Sequence, residues 1–555
     1  MSLLGALLVL VATQASTPTS TATATAGVST DSLLDALTVH PILEHRTRYQ
    51  RMMPLSLNDD TATRPSWFDQ RLRAGIGVGI GSKVKLHLLA DVLPDVVFGD
   101  NGSFVGSPAK NKGGIVATRS PNFSRVKVDR LDPVASGLDR DNYGYVLAEA
   151  DMLLVRLVYG EALLPVGLVR AGRMPLAPHG RSVLVHNGAR INRWGVSKNI
   201  DSVDGVAFGT KIGALIDIIN GDPVDKDPER GIFAAVLVGQ PSEQTVQGDD
   251  DLMQYVGTLW WQTEDRPLFG IDVDEARAGV IWAHRVGDQF ETELDTISIY
   301  VEAETEWFRF AAHHLQMLGG TREISEGLAL LGTSSGPPIR QTISAFGGFG
   351  EIALKLDPIQ IPLEVSFEVY YASGDEDPRS STEINQLTFA EDTNVGLHLF
   401  ENVLGYQSAR SAALAVANLR GVSPPTYPVA EIDTRGGLQN AFVLFPQVIT
   451  RPFPWLSARA GVMVAFSLVP VVDPIGTVLN TDGREVTDDQ VNYTGGKPGS
   501  YYGTEIDLGV TLTPIEHFAF DLEAAYLFPG DALQDEHGDA VRSLFFTGRL
   551  TMFLD

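Results

Sequence analysis

The sequence predicts an all-β fold: a transmembrane, antiparallel, up-and-down β-barrel of about eighteen strands, with long extracellular loops and short periplasmic turns. Three observations carry this. First, residues 501–528 contain two period-2 stretches joined by a tight link. Ile506, Leu508, Val510 and Leu512 alternate with Glu505, Asp507, Gly509 and Thr511, and Phe518, Phe520, Leu522, Ala524 and Tyr526 alternate with His517, Ala519, Asp521 and Glu523. One face is apolar and the other polar, which is the pattern of paired strands. Second, short connections near 81, 160, 304, 358, 451 and 514 alternate with long ones near 120, 188, 330, 400, 485 and 535. Third, no uncharged apolar run approaches the roughly 20 residues of a spanning helix. A chain that crosses hydrocarbon without such helices crosses as a closed sheet.

Taken in order, Leu3–Ala12 is a short apolar run, followed by the small-residue site Thr13-Gln14-Ala15. Residues 1–15 read as a secretory signal peptide, although no Lys or Arg precedes the run. Residues 16–40 read as a disordered Ser/Thr/Ala linker with a short helix over 31–40, and 41–555 as the barrel. A first strand within 41–57 makes the strand count even and puts both ends on the short-turn side. From Gln70 a hairpin turns at Gly81-Ser82. A loop rich in Gly, Asn, Asp and Pro covers 99–142. A strand pair at 144–174 turns near Gly160, and a polar loop covers 175–201. Strands follow at 202–219, 230–240, 252–264, 267–286, 292–303, 306–318, 342–356 and 361–373. The long segment 374–434 contains a helix-like piece near Ser408–Leu419 and is expected to fold over or into the pore. Strands resume at 435–448 and 455–468, a loop fills 469–500, and a last strand covers 542–554.

Composition narrows the function classes. The chain has 555 residues, no Cys and a formal charge of −27. Disulfides, thiol catalysis and cysteine metal sites are excluded. The acidic balance disfavours nucleic acid. Trp260, Trp261, Trp307, Phe308, Tyr370, Tyr371 and Trp455 fall near predicted strand ends and fit an interfacial girdle. His313 and His314 are adjacent, so they point to opposite faces of a strand. No nucleophile–base constellation can be read, so neither catalysis nor a cofactor is expected.

Several stretches resemble a known family. GTEIDLGVTLTPIEHFAFDLEAAYLFPGDAL at 503–533 resembles the closing hairpin of alginate-export-like outer-membrane proteins. YYASGDEDP at 370–378 resembles that family's Ser-Gly-Asp exit from a strand. LVRAGRMPLAPHG at 168–180, INRW at 191–194 and DSVDGVAFGTKI at 201–212 resemble its Gly-Arg strand and the Asp-Gly strand after it. The layout is also similar to large barrel proteins of myxobacteria. The resemblance implies a monomeric eighteen-strand barrel in a Gram-negative outer membrane, passing a polysaccharide or small solutes. The expected partners are outer-membrane lipid and lipopolysaccharide, the barrel-assembly machinery and a saccharide or small solute.

Alternation supplies the candidate lumen-lining set: Arg71, Arg73, Lys83, Lys85, Arg170, Arg173, Lys355, Glu364, Glu368, Glu505, Asp507, Asp521 and Glu523. Arg170 and Arg173, three apart, share a face only if a bulge intervenes. Such mixed-to-acidic walls favour cations or neutral sugars over a polyanion. The expected function is a channel with a loop-gated lumen. The alternative is a plugged barrel with a structural, adhesion or envelope-assembly role. Asp222, Asp225, Asp227 and Glu229 are weak candidates for a Ca²⁺ site, since oxygen ligands crowd that segment without the pattern of a calcium loop.

Overall fold

The computed structural model describes residues 37–57, 64–81, 83–99, 153–176, 182–186, 193–196, 200–225, 227–241, 252–268, 270–322, 339–376, 383–408, 434, 436–473 and 490–554. The signal peptide, most of the linker, nearly all of the 99–142 loop and the helix-like piece beyond Ser408 lie outside these residues.

Among the described residues the chain forms eighteen strands in one sheet. They are β1 (Leu37–Met53), β2 (Ser66–Ile80), β3 (Val84–Gly99), β4 (Leu153–Leu164), β5 (Gly167–Pro175), β6 (Ser202–Lys211), β7 (Gly231–Pro241), β8 (Met253–Leu268) and β9 (Ile271–Gly287). The second half comprises β10 (Thr292–Glu304), β11 (Phe308–Thr321), β12 (Gln341–Lys355), β13 (Leu363–Ala372), β14 (Ala441–Phe453), β15 (Leu456–Phe466), β16 (Tyr501–Leu512), β17 (Phe518–Pro529) and β18 (Ser543–Leu554). Each strand pairs antiparallel with its sequence neighbours. The sheet closes where β1 meets β18, with Leu43 opposite Leu554 and Met53 opposite Leu544. Leu37, at the start of β1, lies opposite Ile80 at the end of β2, so the barrel begins and ends on the short-turn side.

Closure follows from the alternation. On β10, Ile297, Ile299 and Val301 face outward and are exposed, while Ser298 and Tyr300 face inward and are buried. The same pattern runs through Ile506 and Leu508 against Glu505 and Asp507 on β16. Apolar residues on the outside of a closed sheet suit a lipid environment, where closure gives the strands partners on both sides. On the turn side, Trp307, Phe308, Phe453 and Trp455 are exposed, as an interfacial girdle requires. Trp260 and Tyr370 do not belong to it. Both are buried on the inward face, because the period-2 rule that turns Trp261 and Tyr371 outward turns their neighbours in.

Several boundaries differ from the sequence reading. Residues 37–40 belong to β1, not to a linker or helix: His40 and Thr38 pair with Gly77 and Gly79, so the sheet recruits them. The turn between β4 and β5 is at 165–166, and Gly160 lies inside β4 opposite Leu86 and Ala171. The strand predicted over 202–219 stops at Lys211. It continues as helix α1 (Ile212–Asn220), which ends on Gly221 in the left-handed region. Ile, Leu and Ala at 212–219 satisfy a helical stripe as well as a strand, and composition alone does not separate the two.

Ile299→Arg places a charge on the lipid face near the middle of β10. It should cost about 2–4 kcal/mol of folding stability, whereas Ile299→Val should cost little. Denaturant titration of the heat-modifiable band on gels measures the difference.

Candidate functional site: a charge-paired, loop-filled lumen

Most of the charged residues predicted to face inward do so, and they meet partners that sequence reasoning did not supply. On β1 and β2, Arg71 pairs with Glu44, and Arg48 reaches Asp69 at 2.9 Å. Arg73 and Arg156 both bind Asp91 at 2.7 Å. All of these side chains are buried. On the next wall, Arg309 contacts Glu351 at 2.8 Å and Glu364 at 2.5 Å. On β17 and β18, Arg549 holds Asp521 at 3.0 Å and Glu523 at 3.2 Å, and Arg459 from β15 also binds Glu523. Lys355 pairs with Glu304. A charge taken out of water needs such a partner, because its desolvation cost is otherwise unmet. The mixed-to-acidic wall inferred from sequence is therefore largely a compensated one.

Two predicted residues are not on the lumen wall. Arg173 faces outward, bound to Asp204 at 2.6 Å, because Arg170 three residues earlier faces in and no bulge separates them. Lys83 sits in the turn between β2 and β3, exposed, and not on the wall. Lys85 and Arg170 do face inward and share Glu161, at 3.7 and 3.1 Å. Among the described residues, the Asp222–Glu229 carboxylates form no metal-binding cluster. Asp225 is bound by Lys211 at 2.8 Å and Asp227 by Arg230 at 2.9 Å, so cations of the chain itself occupy these carboxylates. The Lys211 hydrogen bond, with the Asp227 N–H, holds the Asp225 carboxyl below its ordinary range.

Among the described residues, two loop segments enter the barrel. In the first, Trp194 is buried against Phe445, with Arg459 over its ring at 5.3 Å, and its indole N–H donates to Gln447 at 2.8 Å. Arg193 beside it reaches Glu351 at 2.7 Å and also pairs with Glu368. The Arg549 guanidinium donates to the Gly195 carbonyl at 3.1 Å. The second segment, 383–408, lies beside the first, and Asn394 donates to the Trp194 carbonyl at 2.8 Å. It carries a π-helical stretch, Leu399–Leu404, followed by a helical turn to Ser408. Helical structure thus begins earlier than the 408–419 predicted.

Glu505 fixes the start of that helical stretch to the wall. Its carboxylate accepts the backbone N–H groups of Leu397 at 2.8 Å, His398 at 2.9 Å and Leu399 at 2.6 Å. The first amides of a helix lack internal partners and favour an anion. Gly396 makes this approach possible. It has φ +73, and a Cβ there would lie 2.9 Å from a Glu505 oxygen and 3.0 Å from Met463. Above this level, Leu399, Phe400, Val403 and Tyr406 pack on Val443, Phe445, Met463, Tyr502, Leu527 and Phe545 of β14–β18 in one apolar cluster. The lumen beside β14–β18 is thus layered, apolar toward the loops and charge-paired below.

His398 is buried in that apolar layer, stacked on Phe545 with ring centroids 5.6 Å apart. Ser543 spends its proton on the Pro54 carbonyl at 2.6 Å, so the His398 Nε2–H donates to the Ser543 oxygen at 2.7 Å. Burial pushes the imidazole down to about 3 from its ordinary 6.5. Asp507 is fully buried beside Glu505, and the two carboxyl groups are hydrogen-bonded to each other.

Of the residues that sequence reasoning missed, Glu44, Arg46 and Arg48 alternate legibly within HRTRYQR and its preceding Glu. Arg193 and Trp194 carry no such signal, because nothing local says that their loop turns into the barrel.

A family model described as Alginate export matches residues 420–547, a stretch that takes in most of β14–β18 and the 503–533 hairpin. No curated relative matches. Among solved structures, Pseudomonas aeruginosa OccK9 (OpdG) is 11% identical, covering 94% of this chain and 100% of its own, with a TM-score of 0.44. Acinetobacter baumannii OccAB1 is 10% identical, covering 93% and 96%, with a TM-score of 0.44. The outer membrane protein opdK of Pseudomonas aeruginosa is 9% identical, covering 93% and 98%, with a TM-score of 0.43. The lipid-facing belt, the closed sheet and the alginate-export-like closing strands make this an outer-membrane barrel.

Two outcomes are expected. Arg549→Met leaves Asp521 and Glu523 without their shared cation and should cost about 3–5 kcal/mol, read as a lower unfolding midpoint in detergent. The neutral His398 ring contributes fully above pH 6.5, its unfolded value, and that contribution fades as pH falls from there towards 3. Limited proteolysis of 383–408 should therefore accelerate between pH 6.5 and 4 in the wild type and change less with pH in His398→Gln.

Proposed function

We propose that this alginate-export-like outer-membrane barrel is a channel for small polar solutes, gated by the segment 383–408. The observation that carries the reading is the asymmetry of the lumen. The inward faces of β13–β18 are buried beneath the two inserted segments, whereas inward residues of β4–β9 such as Tyr159, Arg170, Ala207 and Ala235 are partly open to solvent. A solute moving along that wall would meet Lys85, Glu161 and Arg170, then Glu275, Arg277 and Glu302, with the rings of Tyr159 and Phe233 beside them.

These charges are paired. Glu161 is shared by Lys85 and Arg170, and Arg277 lies between Glu275 and Glu302. A paired wall offers donors and acceptors with little net field, which suits neutral sugars and other small polar molecules better than a polyanion. Gating would work by steric closure. Glu505 on three backbone amides is the strongest polar tether of the inserted helix, with each such bond contributing about 1.5–3 kcal/mol. The plugged-barrel alternative rests on the continuous apolar core that the inserted segment forms with β14–β18.

Planar-bilayer recordings of the refolded protein separate these readings. Small conductance steps are expected from the wild type, with a reversal potential near zero in a KCl gradient. Glu505→Ala should raise the conductance or the open time. Silence from the wild type, from Glu505→Ala and from a deletion of 374–434, all heat-modifiable on gels, would sink the channel reading and leave the plugged barrel.

A further inference from the structure

We propose that helix α1 is an in-plane membrane anchor, with its isoleucine stripe lying in the inner leaflet of the outer membrane at the headgroup boundary. The connection between β6 and β7 is on the short-turn side, where the other described connections are tight. Here the chain spends nine residues, IGALIDIIN, on a helix. Ile212, Leu215, Ile216 and Ile219 follow i, i+3, i+4, i+7 spacing and form one apolar stripe. Asp217, the helix's sole charged residue, lies off that stripe.

None of the helix's residues is buried. Ile219 is 81% exposed, more than any other large apolar side chain among the described residues. An aqueous location would leave this stripe unfavourably hydrated.

The polar side of the helix is engaged. Asp217 accepts the backbone N–H of Asp225 at 3.0 Å, and Lys211, which precedes the helix, binds Asp225 at 2.8 Å and the Asp227 carbonyl at 2.9 Å. The turn after the helix therefore engages Asp217 and leaves Ile216 and Ile219 exposed. Their level in the barrel identifies what covers them. Neighbouring turns on the same side expose Ile271, Trp307, Phe308, Ile359, Phe453, Trp455 and Ile515. This rim lies where the outward apolar belt of the strands ends, and the outward residues Val206, Val236 and Ile232 bring that belt down to the helix. The stripe is thus continuous with a lipid-facing surface. Short amphipathic helices of this kind lie in the interface with the apolar face toward the acyl chains.

The chain has no cysteine, so single labels can be placed. Ile219→Cys tests the stripe. Gly213→Cys is the off-stripe control, since a Cβ at Gly213 meets open space. Val236→Cys on the outside of β7 is the lipid-exposed reference. Each is labelled with an environment-sensitive NBD fluorophore and refolded into phosphatidylethanolamine/phosphatidylglycerol vesicles. The label at 219 is expected to emit to the blue of that at 213, to lose intensity to nitroxide-labelled lipid as the 236 label does, and to resist aqueous iodide. The 213 label should show the reverse. Equal iodide quenching at 219 and 213 would overturn the anchor. So would shielding of 219 from iodide without lipid quenching, which would mean that a second copy of the chain covers the stripe. Failure of lipid quenching at 236 would overturn the membrane-barrel reading itself, a result distinct from failure at 219 alone.

Discussion

The backbone hydrogen bond in hydrocarbon governs this structure. Lipid offers no donors or acceptors, so every strand must be paired on both sides, and a sheet meets that condition only by closing. The β1–β18 seam is where the condition is met, over eleven paired positions from Leu43 to Met53. Closure then fixes the two faces. Outward positions become apolar because they meet acyl chains, and inward positions become polar or packed because they do not. Even the recruitment of residues 37–40 into β1 follows, since the exposed edge of β2 near Gly77 and Gly79 would otherwise lack a partner.

The interior of a barrel this wide has to be filled or wetted, and this one does both. Arginines alternate with carboxylates around the inner wall, so charges withdrawn from bulk water find partners across strands. Arg549 between Asp521 and Glu523, and Arg73 with Arg156 on Asp91, are cross-strand examples. The inserted loops use the same chemistry to dock. Arg193 joins the Glu351–Glu368 cluster, and Glu505 caps the amides of 397–399. A loop held by charge-assisted hydrogen bonds at one level and an apolar cluster at the next occupies one position, yet depends on few individual contacts. Its polar docking is concentrated at Glu505 and Gly396.

The architecture was readable because its signal is local and repeated. Alternation in 501–528, short turns against long loops, and the absence of a spanning helix each follow from one physical rule applied strand by strand. The inward carboxylates and most inward basic residues were readable by the same parity, and Arg173 was misplaced where that parity was set aside for a bulge that does not exist. One further signal was available. Residues 441–449, AFVLFPQVI, are apolar on both faces, which is how a strand reads when its inner side is packed rather than wet. The lumen there is packed, against Phe400 and its neighbours.

The sequence by itself determined the strand-rich architecture and the side to which most strand residues point, because these depend on period-2 geometry and on what lipid excludes. The tertiary structure alone decided which charges meet, that Trp194 and the 383–408 segment enter the barrel, that three loop amides converge on Glu505, and that 212–220 coils into a helix with Ile216 and Ile219 uncovered. Those outcomes depend on contacts between residues far apart in the chain. Arg193 and Glu368 are separated by 175 positions, and no local pattern records that they meet.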